Sequence, residues 1–109
     1  MLGRRTYLAA APLLLAGCAT VYDLENRAPD ARYVSTKPMA TVAQCITQGI
    51  GSLGRYDVQR GDSATYITLQ TQNGYPAARI TVRATQTGST VSVRQTISYS
   101  LGRTVERCL

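Results

Sequence analysis

Residues 56–99 read YDVQRGDSATYITLQTQNGYPAARITVRATQTGSTVSVRQTISY, and this stretch decides the fold. Its apolar residues recur at every second position, as Tyr56 and Val58, Ile67 and Leu69, Ile80 and Val82, then Val91 and Val93. A period of two lays side chains on one face of an extended chain. Turn-forming residues interrupt the pattern at Gly61-Asp62, at Asn73-Gly74 with Pro76, and at Gly88-Ser89, which predicts strands over 56–60, 64–71, 78–84 and 90–99. If each turn joins neighbouring strands, one register sets Val58 opposite Ile67, Ile67 opposite Val82 and Val82 opposite Val93. That register gathers Tyr56, Val58, Ile67, Leu69, Ile80, Val82, Val91, Val93 and Ile97 on one face. The other face receives Tyr66, Thr68, Gln70, Arg79, Thr81, Arg83, Ser92, Arg94 and Thr96. Such alternation predicts an antiparallel sheet that is covered on one side and wet on the other. Gln95 interrupts the apolar face and is expected near its rim.

Upstream of this stretch, residues 31–35 (ARYVS) form a short strand candidate through Tyr33 and Val34. Ser35-Thr36-Lys37-Pro38 then resembles a helix start, with a hydroxyl cap and a proline in the first turn. Met39, Val42, Ala43, Ile46, Ile50 and Leu53 follow at intervals that place them on one helical face. A helix over 39–53 is the one element long enough to cover the sheet, and Gly49, Gly51 and Gly54 weaken its end. The last eight residues, 102–109, predict a short second helix with Leu101, Val105 and Leu109 inward. The expected class is therefore α+β, with one main helix on one face of a four- to five-stranded antiparallel sheet, a short C-terminal helix and one disulfide.

The amino-terminal end, MLGRRTYLAAAPLLLAGC, has the order of an export signal: basic Arg4 and Arg5, an apolar run over 7–16, then small residues. That run of about ten residues falls well short of the ~20 that a membrane-crossing helix needs. Leu15-Ala16-Gly17-Cys18 resembles the lipobox of bacterial lipoproteins, which implies cleavage before Cys18 and lipidation of its thiol. An anchor of several acyl chains (palmitate among them), at ~0.8 kcal/mol for each buried CH₂, holds a protein stably on a membrane. Arg4-Arg5-Thr6-Tyr7-Leu8 fits a twin-arginine export signal as well as the basic start of a general secretory one. Ala19, where an aspartate would mark inner-membrane retention in enteric lipoproteins, favours the outer membrane, facing the periplasm. The expected organisation is a signal peptide over 1–17, a lipidated amino terminus and tether over 18–30, and a single α+β domain over 31–109. Loss of Arg4 and Arg5 with the signal lowers the formal charge of +6 by two.

With Cys18 assigned to lipid, Cys45 and Cys108 remain, an even count suited to an oxidising compartment. A Cys45–Cys108 bridge would tie the chain end to the main helix, and the chain-entropy account gives it ~4 kcal/mol. The alternative is two free thiols; a redox-active pair would be expected in C-x-x-C spacing instead. Lipobox, paired cysteines and helix-on-sheet pattern together resemble small proteobacterial lipoproteins with a helix cysteine bonded to one near the carboxyl end. That resemblance brings no catalytic or cofactor residue with it.

The 109 residues contain no histidine, which excludes serine–histidine and cysteine–histidine hydrolases and histidine-ligated zinc or haem. The acidic residues Asp23, Glu25, Asp30, Asp57, Asp62 and Glu106 are scattered, and no phosphate loop, calcium loop or G-x-S-x-G occurs. The expectation is a protein that is not an enzyme and carries no metal or other cofactor. One group invites a partner: Tyr66, Arg79, Arg83 and Arg94 on the wet face could contact an envelope protein or another anionic envelope component. Charged and hydroxyl side chains are also what any solvated strand face carries. Nucleic acid is not expected, because export removes the chain from it and no aromatic stacking ladder is present. The expected role is a lipid-anchored binding or scaffolding module of the envelope. The alternative is a periplasmic inhibitor or immunity protein, which would be encoded beside its target and bind it tightly.

Overall fold

The computed structural model describes Leu24 and residues 26–95 and 101–109. The export signal, Cys18, most of the tether and the stretch with Thr96, Ile97 and Tyr99 lie outside the described residues. Five strands, β1 (Ala31–Ser35), β2 (Arg55–Arg60), β3 (Ala64–Gln70), β4 (Pro76–Thr85) and β5 (Gly88–Gln95), form one sheet in the order β1-β5-β4-β3-β2. Every neighbouring pair is antiparallel. Two helices complete the described fold, α1 (Met39–Ile50) and α2 (Leu101–Glu106). The meander β2 to β5 joins strands that are consecutive in sequence, as expected, and β1 adds to its far edge beside β5.

Val58 faces Ile67 as expected, but Ile67 faces Ile80 and Val82 faces Val91. The expected pairings of Ile67 with Val82 and of Val82 with Val93 are each wrong by two residues. Two turns account for the slip. The β4–β5 reversal is made by Gln86 and Thr87, two positions earlier than Gly88-Ser89, so Thr85 faces Gly88. The β3–β4 connection takes in residues 71–75, and a bulge between Leu69 and Gln70 absorbs an extra residue of β4, with Pro76 at the strand's first position. A slip of two exchanges neighbours but not faces.

Helix α1 buries Val42, Ala43, Ile46, Thr47 and Ile50 against β3, β4 and β5. These meet Ile67, Leu69, Ala78, Ile80, Val82, Val91 and Val93 in a single core, to which α2 adds Leu101 and Val105. Each valine or isoleucine fully buried there contributes about 1.5–3 kcal/mol. The helix stops at Ile50 rather than 53, and Leu53 is 41% exposed. Because α1 sits over the middle of the sheet, the edge strand β2 overhangs it. Tyr56 is accordingly 44% exposed and Val58 only half-buried, although both alternate in phase with the core.

The expected hydroxyl cap of α1 is absent: Pro38 occupies the cap position with no side-chain hydrogen bond. Ser35 serves the preceding turn instead, its Oγ accepting from the Lys37 amide at 3.0 Å and donating to the Leu109 carbonyl at 3.0 Å. Across the same end of the sheet, the Ser89 hydroxyl donates to the Lys37 carbonyl at 2.9 Å. The chain passes so close there that a Cβ on Gly88, whose φ is +154°, would collide with the Ser35 carbonyl oxygen and lie 2.7 Å from Thr36 Cα. Cys45 and Cys108 form a disulfide, with Cα atoms 5.5 Å apart, that fastens the chain end after α2 to α1. Gly49 lets the helices approach, since a Cβ there would fall 2.5 Å from Thr104 Cγ2.

Candidate anion-binding face of the sheet

The face of the sheet opposite α1 is built by strand register. Three rows run across it. The first aligns Asp57, Thr68, Arg79 and Arg94; the second aligns Gln59, Tyr66, Thr81, Ser92 and Arg32; the third aligns Ala64, Arg83 and Thr90 with Val34. Arg55 stands beyond the first row, opposite Gln70. The strands of this face therefore present five guanidinium groups, those of Arg32, Arg55, Arg79, Arg83 and Arg94, against the single carboxylate of Asp57.

Tyr66 organises the middle of this face. It stands opposite Thr81, with Arg79 and Arg83 two residues away on either side along β4. Arg79 Cζ lies 5.0 Å from the Tyr66 ring centroid and Arg83 Cζ lies 6.0 Å from it. A guanidinium at such a distance is attracted by the ring's quadrupole. Arg79 also donates from Nη1 to Thr68 Oγ1 at 3.1 Å. As a result Arg79 is only 7% exposed, and Thr68 and Thr81 are buried with it. The centre of the expected wet face is thus tightly packed polar surface, because long side chains lying across the pleat close over the short ones.

Arg94 is positioned from another direction. Its Nε donates to the Arg27 carbonyl at 2.7 Å, while Arg27 Nη1 donates to the Gln95 carbonyl at 3.0 Å. Asp30 completes the clamp by accepting from the Gln95 amide at 2.7 Å through Oδ2 and donating its own amide to the Val93 carbonyl at 2.8 Å. The segment before β1 is thereby tied to the end of β5, and Gln95 does sit at the rim of the core face. Among the described residues, the two terminal amino groups of Arg94 take no other hydrogen bond. Arg83 is exposed, and Tyr66 is its one described partner.

Two open depressions mark the face. One, of about 380 Å³, is lined by Gln59, Tyr66, Arg79, Thr81, Arg83 and Arg94. The other, of about 360 Å³, includes Arg32, Thr90, Ser92, Arg83 and Arg94 in its wall. Arg83 and Arg94 belong to both, so they stand where the two depressions adjoin, flanking Thr81 on one side and Ser92 on the other. All four residues singled out from sequence, Tyr66, Arg79, Arg83 and Arg94, therefore come together. Arg32 and Gln59 join them: placing Arg32 requires the β1–β5 register, which the pattern of two does not supply, whereas Gln59 already follows from the Val58–Ile67 pairing but carries no charge to single it out.

Among the described residues no cluster of three cysteine or carboxylate side chains could hold a metal, and no helix is long and apolar enough to cross a membrane. Cys45 and Cys108, on the opposite side of the sheet, are joined to each other. No family model, no curated protein and no solved structure matches the chain.

Proposed function

We propose that this chain is a bacterial envelope lipoprotein, held on the periplasmic leaflet of the outer membrane through Cys18, whose folded part is a module that binds an anionic partner. The observation that carries the reading is the arginine excess on one open sheet face, with Arg79 packed beside Tyr66 and Arg94 hydrogen-bonded to the Arg27 carbonyl. Guanidinium groups held in place before an anion arrives lose less freedom on binding, and their planar forks suit oxyanions. Arginine, tyrosine and hydroxyl side chains with no histidine bind charge well and are poorly equipped for proton transfer near neutral pH. That inventory supports the reading of a binding rather than a catalytic module.

The test is photocrosslinking in living cells. A photoreactive residue at Gln59 or Thr90, on the arginine face, should give a discrete adduct, whereas one at Gln48, exposed on α1, should not. Adding Arg83→Glu and Arg94→Glu should abolish the adduct. Equal crosslinking from both sides would refute the face. Separately, Cys18→Ser should move the protein from the membrane to the soluble fraction, and its retention on membranes would refute the anchor.

A further inference from the structure

We infer that the space bracketed by Arg83 and Arg94 is a binding site for a multiply charged phosphate group, a phosphomonoester or a diphosphate. This rests on the reading of the face as an anion-binding surface and names the anion. The floor is a pair of hydroxyls: Thr81 and Ser92 face each other in register and line the two adjoining depressions. Around that pair stand Arg83 on one side, Arg79 and Arg94 on the other, and Arg32 on the strand beyond Ser92. The rows of Arg83 and of Arg79 with Arg94 are four residues apart, about 13 Å, and the hydroxyl row lies midway.

Charge selects among oxyanions. A lone carboxylate would neutralise one of these guanidinium groups and leave the rest repelling one another. A phosphomonoester or diphosphate carries two or more charges and several acceptor oxygens that can take paired N–H donors from different arginines. Of the carboxylates near this face, Asp57 lies two strands away from Arg79 with Thr68 between them, and Asp30, beside the end of β5, has its Oδ2 engaged by the Gln95 amide. Arg94 is prepared for such a role because its Nε is held by a backbone carbonyl, which fixes the plane of the fork. Among the described residues the Arg83 side chain is held only against the Tyr66 ring, and it can swing to close on the ligand. The half-buried hydroxyl of Ser92 donates equally well to any oxyanion, so number of charges rather than shape is the discriminating property.

The experiment titrates the full chain carrying Cys18→Ser with inorganic pyrophosphate and follows the arginine Nε–Hε signals by NMR. Saturable shifts on Arg83 and Arg94, with Arg103 on α2 unmoved, are expected. Arg94→Ala and Arg83→Ala should each weaken binding about tenfold, the loss expected for a charge-assisted pair of hydrogen bonds. Arg83→Ala guards against a folding artefact, because Arg83 is exposed and its side chain makes no hydrogen bond among the described residues. Arg83→Lys should bind more weakly than the parent, since the fork is lost while the charge is kept. Vesicles of phosphatidylcholine containing phosphatidic acid distinguish the source: competition with pyrophosphate at the same signals marks a lipid headgroup, and no competition marks a soluble ester. Uniform shifts on every exposed arginine, unchanged affinity in Arg83→Ala and Arg94→Ala, or equal binding of acetate would overturn the inference. If pyrophosphate fails while the Gln59 or Thr90 adduct persists in cells, the phosphate assignment falls and the anionic-partner reading stands.

Discussion

Breaking the Cys45–Cys108 bond tests how this small core stays folded. The two cysteines are 63 residues apart in sequence. A cross-link of that span removes from the unfolded chain an entropy that corresponds to about 4 kcal/mol at 25 °C. For a domain of this size that is a large fraction of a total stability on the order of 5–15 kcal/mol. The bond also determines where α2 lies, since Leu101, Val105 and Cys108 enter the core from a segment with few other attachments. The perturbation should be the double substitution Cys45→Ala with Cys108→Ala, because a serine at buried Cys108 would add an unsatisfied hydroxyl. Urea unfolding followed by circular dichroism is the assay. At a slope of about 1.5 kcal/mol per molar urea, a loss of about 4 kcal/mol moves the midpoint down by roughly 2.7 M. The protein should nonetheless remain folded in dilute buffer, because the contact of α1 with β3, β4 and β5 does not involve the bond. A midpoint shift below about 0.5 M would refute the reasoning, as it would mean that the α2 segment is held by packing alone.

Gly88→Ala should lose roughly 1–3 kcal/mol in the same assay, since it combines a disfavoured φ with a collision against the backbone of Ser35 and Thr36; parent-like stability would show that the β1–β5 end can open without cost. Ile80→Ala should cost about 2–5 kcal/mol, whereas Tyr56→Ala, on the overhanging edge strand, should cost well under half as much, and equal losses would mean that α1 covers β2 after all. Raising sodium chloride from low to near 0.5 M should stabilise the parent, because repulsion among the exposed guanidinium groups of this face is screened by salt. Arg83→Ala with Arg94→Ala should show a weaker salt dependence, and an unchanged dependence would place the repulsion elsewhere.

How much of this was legible in the sequence depends on which physical rule governs each feature. Face membership follows from the period of two alone, so Ile67, Ile80, Val82, Val91 and Val93 were assignable to the core, and Tyr66, Arg79, Arg83 and Arg94 to the other side. Neighbour relations depend in addition on turn length. Gln86-Thr87 makes the β4–β5 turn although neither residue is a strong turn former, and the bulge beside Pro76 adds a residue that the pattern does not show. The extent of the core depends on where α1 lies over the sheet, which no periodicity reports, so Tyr56 was expected inside and Leu53 with it. Ser35 illustrates local competition. Its hydroxyl suits a helix cap, but the turn at Lys37 and the terminal carbonyl of Leu109 engage it first. The disulfide was inferable by parity once Cys18 was set aside, whereas Arg32 became a candidate only when β1 was seen to pair with β5.

The two sides of the sheet are connected through rigidity. Arginines crowded on one face oppose folding, as Arg79 and Arg94 stand directly across from each other on β4 and β5. Their arrangement persists because the backbone beneath them is held elsewhere. The core fixes β3, β4 and β5 from the opposite side, the disulfide fixes α2 upon α1, and the Arg27–Gln95–Asp30 bonds fix β5's end. The same repulsion that the fold must withstand is relieved when an anion arrives, so binding should raise stability as well as occupy the site. This coupling requires a stiff sheet: if the strands could splay, the guanidinium groups would separate and the gain on binding would shrink. The helix and staple on the covered side therefore bear on function by keeping Arg83 and Arg94 close enough to share one ligand.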